Sequence, residues 1–129
     1  MTQDFEIGII GGTGGIGGWF ASFFAEQGYV VRRAGRTTGP PLPELARRCR
    51  VVIVSVPIAA TVAVIRAVGP HLPAGALLMD LTSLKEEPLR EMIAATRAEV
   101  VGCHPLFGPD CPSLAGQNIV LCPGRGERW

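Results

Sequence analysis

The sequence predicts an α/β fold, an open and mostly parallel sheet doubly wound by helices. Three observations predict it. A β-branched run (Ile7, Ile9, Ile10) leads straight into a glycine cluster, and from Trp19 the pattern turns helical. Residues 51–56 are a short, almost continuous apolar run, as expected of a strand covered on both faces. Strand-like and helix-like stretches alternate along the chain, which implies parallel strands joined by right-handed crossovers. At 129 residues the chain is one domain, 1–129, long enough to bury a core.

Each element has its own signal. A strand is expected over residues 6–11, and a helix over 16–27 that stops at Gly28. A second strand covers 29–34. Residues 36–43, with Gly39 and the prolines Pro40, Pro41 and Pro43, form a loop, and Pro43 opens a short helix to residue 48. After the 51–56 strand, Ile58, Val62, Ile65 and Val68 make a helical stripe that ends at Gly69-Pro70. Residues 76–81 form the next strand. The following helix carries Leu89, Met92 and Ile93 on one face, and its easiest start makes Pro88 the first helical residue. Residues 100–103 form a short strand leading into His104. A Pro/Gly-rich loop spans 105–117, and a last strand spans 118–122.

Composition excludes several classes of function. Hydrophobic residues make up 47% and charged residues 18%, a globular balance. A net charge of +1 offers no broad basic face for nucleic acid or an anionic membrane. No apolar segment is long enough to span a bilayer and no basic stretch precedes an apolar run, so a cytoplasmic protein is the expectation. The four cysteines (Cys49, Cys103, Cys111, Cys122) form no C-x-x-C pair and have no histidine at zinc spacing. They read as free thiols, with no metal site.

Within the glycine cluster, Gly12-x-Gly14-x-x-Gly17 has dinucleotide-binding spacing, and it lies between a strand and a helix as that motif requires. The glycines serve a tight turn, close approach to a pyrophosphate, and close helix–strand packing. The helix behind them offers unpaired N–H groups and its positive dipole end. Thr13, Gly15 and Ile16 complete the turn, and the fold expectation sharpens to the Rossmann type. In such sheets the ligand lies beyond the carboxyl ends of the strands, where Ser55, Val56 and Pro57 also fall. The cofactor-selecting position lies about 20 residues past the fingerprint. That region reads Arg33-Ala34-Gly35-Arg36-Thr37-Thr38, with no acid between Glu26 and Glu44. Arg36 brings a guanidinium fork for a 2′-phosphate, and Thr37 and Thr38 bring hydroxyls, so NADP is favoured over NAD. Arg32 and Arg33 are unexpected inside a parallel strand, and at least one is expected to reach the surface.

The most specific stretch after the glycines is Val101-Gly-Cys-His-Pro-Leu-Phe-Gly-Pro-Asp110. With Asp80-Leu-Thr-Ser-Leu-Lys85 and the glycine turn, it resembles the prephenate/arogenate dehydrogenase family of tyrosine biosynthesis, from Ile7 to about Arg125. The resemblance implies a nicotinamide-binding domain followed by an all-helical half that completes the site and forms a homodimer. It also implies an oxidative decarboxylation. Hydride passes from the hydroxyl-bearing ring carbon to NADP⁺, carbon dioxide leaves from the opposite carbon, and a phenol forms. Aromatisation drives the reaction, which leaves the protein to orient a small-molecule substrate and handle one hydroxyl proton.

By similarity, His104 accepts a hydrogen bond from that hydroxyl as a neutral general base, and Ser83 shares the hydroxyl or fixes the imidazole. Each also has a plainer reading: a hydrogen-bonded structural histidine, and a helix N-cap in a Ser83-x-x-Glu86 capping box. Lys85 reads as a phosphate or substrate contact or as a solvated charge. Asp110 reads as lining the substrate side or as loop surface. Asp80 is expected to orient its neighbours through backbone N–H groups, and His71 to be exposed and idle. The chain stops at Trp129, where the helical half of the family would begin. The expectation is therefore a fragment that binds the nucleotide, lacks the family's substrate-gripping arginine and is inactive alone. Alternatives are another NADP-dependent reductase on the same fold, and a non-catalytic module sensing NADP(H). A short-chain dehydrogenase is excluded, because the only tyrosine, Tyr29, has Arg33 rather than lysine four residues later.

Overall fold

In the computed structural model the described residues are 4–35 and 37–129. In chain order they form β1 (Glu6–Ile10), α1 (Gly15–Glu26), β2 (Val30–Ala34), α2 (Leu42–Arg48), β3 (Val51–Val54), α3 (Ile58–Val68), a 3₁₀ turn at Gly69–His71, β4 (Leu77–Asp80), α4 (Glu86–Ala95), β5 (Glu99–Pro105) and β6 (Ile119–Arg125). Among the described residues these strands make one sheet, ordered β2-β1-β3-β4-β5-β6. β1 to β5 run parallel, and β6 returns antiparallel along β5. This is the expected Rossmann-type, doubly wound and mostly parallel sheet.

The order places a topological switch point between β1 and β3, because the chain leaves β1 toward β2 and later returns to the other side of β1. Strand alternation sends side chains to two cores. Ile10, Val52, Val54, Leu78 and Val100 pack with Leu45, Ile65, Val68 and Met92 of the later helices. Ile7, Ile9, Ile53 and Val101 pack with Phe20 and Ala21 of α1. Reversal of strand order at the switch point therefore coincides with α1 on one face and α2 to α4 on the other.

β2 is an edge strand, which explains the two arginines. Arg33 is exposed, and Arg32 Nη2 pairs with Glu6 Oε1 at 2.8 Å. Arg48 Nε holds the other Glu6 oxygen at 2.8 Å. The Arg32 hydrogen bond is the chief cause that keeps the Glu6 carboxyl below its usual range.

Several boundaries differ from expectation. The 51–56 strand ends at Val54, because Ser55 begins the turn into α3. α4 starts at Glu86, with Leu89 N–H bonded to the Lys85 carbonyl, so Pro88 is its third residue rather than its first. That costs nothing: an N–H in the first turn has no intrahelical partner to lose. β5 runs on to Pro105, and His104 therefore lies within a strand. β6 covers Ile119–Arg125 instead of 118–122. His71 is not idle, because its Nδ1 accepts a hydrogen bond from Arg47 Nη2 at 3.1 Å. No helix of the described residues is long and apolar enough to cross a membrane.

All four cysteines are free, and Cys49 and Cys103 are buried. Burial pushes the Cys49 thiol from its ordinary 9.0 up to about 11. Burial, then the charge of Asp80, push Cys103 up to about 12. A thiol with a raised native pKa is neutral in both states below the unfolded value, so it does not alter stability there. Above it, only the unfolded chain ionises. Stability is therefore expected to hold up to about pH 9 and then fall, by up to about 1.4 kcal/mol per pH unit for each thiol. Urea melts between pH 8 and pH 11 check this. The Cys49→Ala, Cys103→Ala variant should show the shallower slope, and equal slopes would refute the assignment.

Candidate functional site

The turn after β1 is built on close backbone contact with the end of β3. Gly11 has φ +89°, and a Cβ there would overlap the Ser55 carbonyl oxygen, so position 11 accepts glycine alone. Gly17, in the first turn of α1, lies so near that a Cβ would meet the Gly11 oxygen at 2.5 Å and Ser55 Cβ at 3.0 Å. Gly11 N–H donates to Ala34 O at 2.7 Å, and Ser55 N–H to Ile10 O at 2.8 Å. The first and third expected functions of the fingerprint, a tight turn and close packing of helix on strand, thus fall to Gly11 and Gly17. Gly12 is buried against Ile9.

Gly14 differs from these. It is the N-cap of α1 in extended backbone, with no side-chain cap, and a Cβ there would touch nothing within 4 Å. Thr13 and Gly15 are exposed beside it, Ile16 is half-buried, and the first turn of α1 holds no acid. The helix end therefore presents uncapped N–H groups and a positive dipole end to open space, as an anion site requires.

A cleft of about 1060 Å³ opens at this point. Its walls are the glycine turn (Gly11, Thr13, Gly14), the segment after β2 (Thr37, Thr38) and the β3 end (Ser55, Val56, Pro57). Around Gly35, which also lines it, hydroxyls converge: a Cβ there would sit 2.8 Å from Thr38 Oγ1 and 3.4 Å from Thr13 Oγ1. The cleft thus follows the carboxyl ends of β1, β2 and β3, across the switch point, where ligands bind in this architecture. Arg36, expected to select the cofactor, lies outside the described residues. Thr37 and Thr38, both expected to offer hydroxyls, line the cleft, whereas sequence reasoning passed over Gly11 and Gly35. For Gly11 the missed signal is the doubled glycine that opens the motif.

The residues expected on the substrate side do not line this cleft. His104 is half-buried in β5, opposite Val120 of β6. Ser83 is exposed between β4 and α4 and does not cap the helix, whose N-cap is Lys85. Asp110 is exposed in the loop after β5. That loop is fastened to α1. Trp19 Nε1 donates to Cys111 O at 2.8 Å, and Phe107 packs on Trp19 and Phe20 with ring centroids 5.1 and 5.9 Å away.

Lys85 is not a solvated charge. Its Nζ donates to Asp80 Oδ2 at 2.6 Å and to the Cys103 carbonyl at 2.7 Å. Asp80 is fully buried and also accepts from the Thr82 N–H at 3.3 Å and from the Thr82 hydroxyl, which bears out its orienting role.

Residues 27–128 match the family model described as "Prephenate dehydrogenase, nucleotide-binding domain". T-protein of Haemophilus influenzae is 41% identical over 120 residues, covering 93% of this chain and 32% of its own length. A probable arogenate/prephenate dehydrogenase of Methanocaldococcus jannaschii is 40% identical, covering 95% of this chain and 31% of its own length. The chain thus spans about a third of the length of these curated relatives. Prephenate dehydrogenase from Aquifex aeolicus, solved in complex with hydroxyphenyl propionate and NAD+, superposes with a TM-score of 0.69 at 18% identity, over 95% of this chain and 51% of that one, and shares the fold. A family match that runs from the end of α1 almost to the last residue, on a sheet with a nucleotide-sized cleft at its switch point, leads to one conclusion: the chain belongs to the prephenate dehydrogenase family, as its nucleotide-binding domain.

Proposed function

We propose that this chain is the nucleotide half of an NADP-dependent enzyme that oxidatively decarboxylates prephenate or arogenate to the aromatic product in tyrosine biosynthesis. The observation that carries the reading is the cleft across the β1/β3 switch point in a chain of this family. Its residues fit a dinucleotide. Uncapped N–H groups at Gly14 and Gly15 suit a pyrophosphate, the Thr13, Thr37 and Thr38 hydroxyls suit a ribose and its 2′-phosphate, and the guanidinium of Arg36 has the chemistry to pair with that phosphate. A nicotinamide nucleotide, when bound, supplies the hydride acceptor. The chain's own part is to hold that nucleotide and to present His104 as acceptor of the substrate hydroxyl proton, with Ser83 as its partner on that hydroxyl. Lys85 and Asp110 stand on the substrate side of this reading. In the whole protein, a homodimer in the cytoplasm, the all-helical half completes the substrate site.

NADP⁺ is expected to bind at least tenfold more tightly than NAD⁺, about 1.4 kcal/mol. Calorimetric titration of the chain with each nucleotide measures this, and equal affinities would sink the NADP preference. Arg36→Ala should erase most of the difference and leave NAD⁺ binding nearly unchanged. In the same samples, NADPH absorbance with prephenate or arogenate should show little or no turnover. Full-rate turnover would mean that a second copy of the chain closes the site.

A further inference from the structure

We propose that Lys85 is a positioning residue for His104: its ammonium, anchored on buried Asp80, holds the peptide group from which His104 projects. The proposal rests on the reading of His104 as the proton acceptor and adds to it the means by which the imidazole is held.

The geometry begins with a mismatch in strand lengths. β4 ends at Asp80, which pairs with Gly102, whereas β5 continues through Cys103, His104 and Pro105 with β6 alone beside it. Beyond Gly102 no β4 backbone remains to supply donors along that edge, and a buried strand carbonyl needs one. Lys85 Nζ takes the missing place, 2.7 Å from the Cys103 oxygen. The Cys103 carbonyl and the His104 nitrogen belong to one planar peptide, so fixing the oxygen fixes the plane that carries His104.

Asp80 makes this contact rigid. Its carboxylate is completely buried, its Oδ2 receives Lys85 at 2.6 Å, and its Oδ1 has no partner among the described residues. A carboxylate so placed requires a counter-charge, and Lys85, with its side chain 15% exposed, is held there by that requirement. Gly102 leaves room for it: a Cβ there would lie 3.2 Å from Lys85 Cδ and 3.5 Å from Asp80 Oδ1. Two of the three ammonium N–H groups are committed, so the lysine serves strand geometry before it serves a ligand. A general base must keep its geometry to within about 0.5 Å, and past the last β4 pairing at Gly102 the Lys85 contact is a side-chain tie that supplies it on that edge of β5.

The chain's two histidines make the test direct, because His71 is an internal control for His104 in proton–nitrogen spectra of the imidazoles. The variants are Lys85→Met and the double variant Asp80→Asn, Lys85→Met, which leaves no stranded buried charge and carries the test if the single variant fails to fold. Expected in the double variant are rotamer-averaged Hα–Hβ couplings at His104 and at least tenfold faster exchange of its amide, with His71 and the Val52–Val54 amides unchanged. A His104 that keeps its couplings and protection would overturn the positioning role, whatever the reaction. In the whole enzyme carrying this domain, the same variant should lose at least tenfold in kcat with KM held. A raised KM with kcat intact would make Lys85 a substrate contact and overturn the proposal. A loosened His104 with full turnover would support the positioning contact and refute His104 as the base.

Discussion

Gly14→Val is expected to abolish dinucleotide binding and leave the domain folded, whereas Gly17→Val should unfold it at modest temperature. The two positions are three residues apart in one motif, yet their surroundings are opposite. Gly14 lies in extended backbone that any residue adopts, with nothing within 4 Å of an added Cβ. A valine there fits the protein but covers the helix end where an anion would meet free N–H groups. A loss of at least about 10²-fold in affinity, near 2.7 kcal/mol, is expected, with Tm unchanged.

At Gly17 the added carbon meets the Gly11 carbonyl at 2.5 Å, and backbone cannot swing aside as a side chain can. α1 would have to lift off the sheet. Overpacking of this kind costs roughly 1–3 kcal/mol, and the branched side chain puts Gly17→Val at the upper end, a fall in Tm on the order of 10 °C. Thermal melts and calorimetric titration of both variants separate the two roles. Equal loss of stability in the pair would mean that Gly14 is a packing glycine as well.

His104→Asn is expected to lower kcat roughly 10²–10⁴-fold in the whole enzyme carrying this domain, the usual range for loss of a general base. Asparagine retains polarity and much of the size but cannot take up a proton near neutral pH. NADP⁺ affinity should hardly change, because His104 lies outside the cleft lined by the glycine turn. Single-turnover measurements on the variant decide between proton transfer and a structural role, and a near-normal rate would return His104 to strand packing.

Much of this architecture was legible because local signals agreed with one another. The β-branched run, the glycine turn and the Trp19/Phe20 start of a helical pattern located β1 and α1 to within a residue or so. The edge position of β2 was written in Arg32 and Arg33, but it could be understood only once the strand order was known. Pairing across the sheet was not legible. β6 gives no hint of its direction, because its antiparallel return follows a loop pinned through Phe107 and Cys111 to Trp19 of α1, far away in sequence. The candidate residues stand out in the sequence more clearly than their surroundings do. Asp80 and Lys85 stood out in the same motif, yet nothing in that spacing shows that the carboxylate is buried or that the lysine bridges to β5. Burial of a charge is a property of the whole sheet.

The contact of Gly11 and Gly17 with Ser55 has a consequence for folding. The glycine turn comes early in the chain, but its floor arrives with the end of β3, some forty residues later, and until then the cleft lacks its third wall. Recognition and folding therefore draw on the same long-range pairing. A ligand that binds only the completed cleft stabilises the native state by about 2.7 kcal/mol when its free concentration is a hundred times Kd. The coenzyme pool around such a protein would then set how much of it survives unfolding and proteolysis. A cell depleted of that coenzyme would lose this domain as well as its substrate, so abundance would follow cofactor supply without any dedicated regulator.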